Sequence, residues 1–92
     1  MDDSVELLKE VDRVLTRITI KYPDAWGLIW KHHKHVKNVI DFPEDQKSTP
    51  EKTLLKSRDW LIAALVNHPV FDEDFRPVAN DITDYFKDRP KI

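Results

Sequence analysis

A single glycine, Gly27, stands against six prolines in a chain of 92 residues. That ratio constrains the fold more than any motif does. Tight β-hairpins need residues at positive φ, most often glycine, and one glycine leaves almost no site for them. Proline fixes φ and lacks an N–H, so it tends to end the helix before it and is tolerated in the first turn of the next. Pro23, Pro43, Pro50, Pro69 and Pro90 punctuate the chain into helix-length segments, with the polar stretch 41–49 holding Pro43 and ending just before Pro50. Each long segment carries apolar residues at steps of three and four.

Four helices are expected, over about 4–21, 25–40, 50–67 and 75–88. The first has the stripe Val5, Leu8, Val11, Leu15, Ile18 and Tyr22, widened by Leu7 and Val14, with Asp3 and Glu6 placed as a capping box. "TRITIKY" (16–22) is β-branched and also reads as a strand, but the upstream periodicity favours helix. In the second helix Asp24 is a candidate N-cap, and the stripe is Trp26, Ile29, Trp30, His33, Val36 or Lys37, and Ile40. The third starts at "STPEK", capped either by Ser48 paired with Glu51 or by Thr49 before Pro50. Its stripe is Leu54, Leu55, Arg58, Leu61, Ile62, Leu65 and Val66. The fourth places Asp74 as N-cap, Pro77 in the first turn, and Phe75, Val78, Ala79, Ile82, Tyr85 and Phe86 on the apolar face.

None of these stripes is buried alone. The connections other than 41–49 are short, which favours antiparallel neighbours. The expected fold is therefore all-α, an antiparallel up-down four-helix bundle formed by one domain over 1–92. Its core should include Leu8, Val11, Leu15, Ile18, Ile29, Leu61, Leu65, Ile82 and Phe86, with Phe71 and Phe75 closing one end.

Composition narrows the function classes. Cysteine is absent, so there is no thiolate to ligate a metal or attack a substrate, and the composition suits a reducing cytosol. In the opening "MDDSVELLKE" two acids directly follow Met1 and there is no apolar run, so no secretory signal is expected, and no stretch is apolar enough for a membrane span. The formal net charge is −2, which argues against a general attraction to nucleic acid. One glycine rules out a glycine-rich phosphate loop, and Ser4, Ser48 and Ser57 lack a nucleophile motif. Asp81, Asp84 and Asp88 read as a solvated negative face rather than a catalytic carboxylate pair. No catalytic, cofactor-binding or metal-binding residue is expected.

One segment stands out. "KHHKHVK" (31–37) gathers Lys31, His32, His33, Lys34, His35 and Lys37 with no acid. His32 and His35 could share a helix face, but His33 points about 100° away, so three imidazoles do not converge as a metal site would need. The segment is expected near the end of the second helix, where cations complement the macrodipole. Contact with an anionic lipid surface, a protein or nucleic acid is the alternative. His33, on the apolar stripe, is expected as a hydrogen-bonded boundary histidine. Trp26 and Trp30, four apart, are expected to fill the core; the alternative places one of them at a partner-binding surface.

The second half, "TLLKSRDWLIAALVNHPVFDEDFRPVANDITDYF", runs from a leucine-rich helix through an Asn-containing turn and a "PVF" corner into an amphipathic helix. With "ELLKEVDRVL" and the "KYPD" break before it, this pattern resembles the enterocin A and pediocin-like bacteriocin immunity proteins. The resemblance rests on pattern and length over most of the chain; "KHHKHVK" and the tryptophan pair have no counterpart in it. It implies a cofactor-free, non-enzymatic four-helix bundle in the cytosol, peripheral to the inner membrane face. Such a protein would guard a producer cell from its own pore-forming peptide at a bacteriocin–receptor complex. The competing expectation is a small phage- or plasmid-encoded regulator or adaptor that binds another protein, or less readily DNA. A dimer formed through the tryptophans is a third.

Overall fold

Helical spacing and proline punctuation lead to four α-helices: α1 (Asp3–Lys21), α2 (Trp26–Asp41), α3 (Pro50–Asn67) and α4 (Asp72–Lys87). The computed structural model describes residues 3–42, 44 and 49–87, and no strand occurs among them. "TRITIK" is therefore helix, as the heptad favoured. One-turn 3-10 segments, Pro23–Ala25 and Pro69–Phe71, make the α1–α2 and α3–α4 connections.

Contacts across the helices fix their directions. Lys21, at the end of α1, and Arg17 both reach Asp74 near the start of α4, each at 3.5 Å. At the opposite end, Tyr85 of α4 donates to Glu51 of α3 at 3.2 Å. Trp60 of α3 meets Phe75 of α4, with ring centroids 5.8 Å apart. The result is an antiparallel up-down bundle in which both 3-10 connections lie at one end. There Tyr22 packs on Phe71, and Phe71 on Phe75, at 5.6 and 5.2 Å. The expected aromatic closure of that end is present.

The core gathers Leu8, Val11, Leu15 and Ile18 of α1, Ile29, Val36 and Val39 of α2, Leu54 and Leu61 of α3, and Phe75, Val78 and Ile82 of α4. Of the expected core residues only Phe86 falls outside: it is half-buried on the rim, edge-on to Tyr85. Helix α3 departs most from expectation. Its inward face carries Thr53, Ser57 and Ala64 beside the leucines, while Ile62 and Val66 are exposed. Small side chains let neighbouring helices approach closely, and the hydroxyls stay satisfied: Thr53 Oγ1 donates to the Thr49 carbonyl at 2.9 Å. Hydropathy alone ranks Ile and Val above Thr and Ser and so misplaces the face.

The helix starts show three corrections. Asp3 lies inside the first turn of α1 instead of before it. Asp24 sits within the 3-10 turn that opens the second helix; Tyr22 occupies the cap position and makes no side-chain cap bond. Asp74 is likewise inside α4, because the "PVF" turn runs directly into that helix and carries its start back to Asp72. Pro77 is thus in the helix interior, where it removes a hydrogen bond to the Glu73 carbonyl on an exposed face. For α3 the Thr49 reading holds: its hydroxyl accepts from Lys52 N–H at 3.2 Å and Pro50 takes the first helical position. Ser48, the other cap candidate, lies outside the described residues, as does Asp88.

Two substitutions test this packing from opposite directions. Leu61 is fully buried, so Leu61→Ala should cost about 2–5 kcal/mol of unfolding free energy in urea denaturation. Gly27 lies in the first turn of α2, directly after the 3-10 turn, with open space around an added Cβ. Gly27→Ala should therefore raise stability by about 0.5–1 kcal/mol. A near-neutral Leu61→Ala or a destabilising Gly27→Ala would contradict the assigned faces.

Candidate functional site

The basic–histidine segment lies in the middle of α2. That helix runs on to Asp41, and its last turn holds no basic residue, so the expected macrodipole role is wrong. The side chains instead do four different things. His33 faces α1 and hydrogen-bonds through Nε2 to Asp12 Oδ1, with Lys37 Nζ 3.7 Å from the same oxygen. His32 faces α3: its ring stacks on Trp60 at 4.8 Å with the planes 10° apart, and Nε2 lies 2.8 Å from Ser57 Oγ. His35 is half-buried, its Nε2 enclosed without a hydrogen-bond partner among the described residues. Lys31 and Lys34 are exposed and carry no ion pair among the described residues.

The divergence expected of the imidazoles is what the helix delivers. His33 is the hydrogen-bonded boundary histidine its position on the stripe suggested. Among the described residues no three His, Cys, Asp or Glu side chains come together as a metal site.

The tryptophans overturn the core-filling expectation. Trp26 and Trp30 stack on each other at 5.7 Å with rings 13° apart, and they are 58% and 37% exposed. Val36 and Val39 take the inward positions of α2 instead. The pair forms one wall of an open groove of about 610 Å³ between α1 and α2. Ile29 lies beneath, Thr16, Thr19 and Ile20 line the α1 side, and Lys34, Lys37 and Asp41 continue along α2. Ile20 is 75% exposed. Lys31 leans back over Trp30, its Nζ 5.8 Å from the ring centroid. Sequence reasoning had not singled out Ile20 or Asp12. Ile20 sits two residues past the last buried position of α1, and Asp12 is the acid on α1 that faces a lysine- and histidine-rich helix.

A smaller hollow of about 270 Å³ opens at the connection end among Tyr22, Leu28, His68, Val70 and Phe71. The acidic face of α4 is exposed at Asp81 and Asp84, as expected. Glu10 of α1 has its carboxyl pushed above the ordinary range, first by partial burial and then by the neighbouring Asp81 carboxylate. No helix among the described residues is long and apolar enough to cross a membrane.

Burial pushes the His32 imidazole down to about 4, helped by the nearby His35, His33 and Lys56. The unfolded chain, with His32 near 6.5, takes up this proton first as pH falls. The neutral, stacked His32 therefore contributes stability that is complete above pH ~6.5 and is lost progressively towards pH ~4, on the order of 3 kcal/mol in total. Glu10 acts in the opposite sense, since its raised value favours the folded form on acidification. Urea midpoints measured across this window should fall steeply for the native chain and less steeply for His32→Phe, which keeps the stack and removes the titration. Identical slopes would contradict the assignment.

Comparison of the chain with protein-family models, with curated proteins and with solved structures finds no match.

Proposed function

We propose that this chain is a non-catalytic binding protein whose working surface is the α1–α2 groove, and that it serves as an immunity protein. In this reading it lies on the cytosolic side, peripheral to the membrane. It protects a producer cell from its own pore-forming bacteriocin by engaging the complex of bacteriocin and membrane receptor. The observation that carries the binding surface is the stacked pair Trp26 and Trp30, left open to solvent beside Lys31 and Lys34. Indoles are large apolar groups, and two left half in water forgo on the order of 5 kcal/mol of burial. That is comparable to the net stability of a small domain, so an occupant for the surface is a physical expectation. The immunity role is supported by the resemblance of the "TLLKSRDWLIAALVNHPVFDEDF" half and by the four-helix architecture that the resemblance implies.

A second reading is a small regulator or adaptor that joins proteins. The feature favouring it is the separate exposed apolar pair Ile62 and Val66 on α3, which gives a second face for a partner.

Expression of the chain in a bacteriocin-sensitive strain distinguishes the two. The immunity reading expects survival against one pore-forming bacteriocin, lost on the double change Trp26→Ala, Trp30→Ala while the purified variant stays helical. Sensitivity to every bacteriocin tested, together with a soluble partner retained through Ile62 and Val66, would establish the adaptor instead.

A further inference from the structure

The open edge of α2 has an order to it. Trp26, Trp30, Lys34 and Lys37 follow one another at steps of four and three, so they form one stripe along the helix. The stripe passes from two stacked indoles to two ammonium groups, with Ile20 of α1 beside the indoles and Lys31 folded over Trp30. Among the described residues, every exposed large apolar side chain except Phe42 lies in the half of the bundle nearer the two 3-10 connections. The indoles thus lie in that half of the bundle, beside Lys31 and Lys34, which have no ion pair among the described residues.

We infer that this stripe is a peripheral membrane contact, and that its occupant is an anionic lipid surface. Tryptophan rings, apolar in body with a polar N–H, settle at the level of the headgroups. Lysines immediately behind them meet the negative charge of the leaflet. Charge complementarity favours lipid over a neutral apolar partner: Lys31 and Lys34 have no acidic partner among the described residues, and Lys37 shares Asp12 with His33. Asp41, the one acid lining the groove, sits at the far end from the indoles. The shape agrees, because Ile20 and Trp26 stand mostly exposed at the surface and are not sunk in an enclosed pocket. The inference deepens the proposed reading and rests on it for bringing the protein to a membrane; the stripe and its charge are properties of the chain alone.

The test is partition of the purified protein onto vesicles of equimolar phosphatidylglycerol and phosphatidylcholine, against vesicles of phosphatidylcholine alone. Expected is binding to the anionic vesicles with a blue shift of tryptophan emission, weakened by salt. The double change Lys31→Gln, Lys34→Gln should reduce partition ~30-fold. Trp26→Ala, Trp30→Ala should remove most of it. The lysine pair is exposed, so its replacement leaves the fold intact and keeps the test valid if the tryptophan variant unfolds. No binding to anionic vesicles, equal binding to both compositions, or binding indifferent to the lysine change would overturn the inference. So would lipid-free self-association that consumes the same stripe. Bacteriocin protection is a separate readout: its absence beside intact vesicle binding removes the immunity reading and leaves the membrane contact standing.

Discussion

The structure depends on how far one apolar stripe can reach. Helix α1 packs against all three other helices, and Leu8, Val11, Leu15 and Ile18 are each fully buried. α3 and α4 lie closely against each other, whereas α2 rests mainly on α1 and less on α3. The α1 stripe ends at Ile18, but the chain continues helically to Lys21, turns, and brings α2 back alongside. Beyond the end of the stripe there is no further buried position on α1 to cover the first turns of α2. Trp26, Trp30 and Ile20 are large apolar groups left at the margin of that core, beside the fully buried Ile29.

Helix α2 is correspondingly held by a mixture of forces. Only Ile29, Val36 and Val39 are buried along it. Between them, His33 and Lys37 converge on Asp12 of α1, and His32 fixes the α3 side through Trp60 and Ser57. The charged contacts with Asp12 are partly solvated, so their net worth is modest. The His32 stack is different in kind, because the ring is largely withdrawn from water and must stay neutral to remain there. The segment that reads as a patch of positive charge is therefore divided. Its histidines work inward, between helices, and Lys31 and Lys34 are left to the outside.

The number and direction of the helices were legible in the prolines and the periodicity, and Thr49 was one of the two cap candidates for α3. Three features were not. Helix starts depend on whether a connection itself turns helically, and neither "YPDA" nor "HPVF" announces that its 3-10 turn runs on into the next helix. The inward face of α3 depends on close approach by Thr53, Ser57 and Ala64, which hydropathy scores as neutral or polar. The tryptophans depend on which helix lacks a neighbour, and that is a property of the assembled bundle. A stripe shows which residues share a face, but it does not show how much of that face will be covered. His33 was legible because its position required a partner; Asp12 was not identified as that partner because nothing local links residues 12 and 33.

The central claim is that Trp26 and Trp30 stand open at the edge of the α1–α2 groove. It is tested most directly by fluorescence of the Trp60→Phe protein, in which only these two indoles report. The account predicts red-shifted emission and ready quenching by acrylamide while the helical circular dichroism signal is retained. Blue-shifted emission shielded from the quencher, in a folded monomer, would mean that the pair belongs to the core and that the groove does not exist.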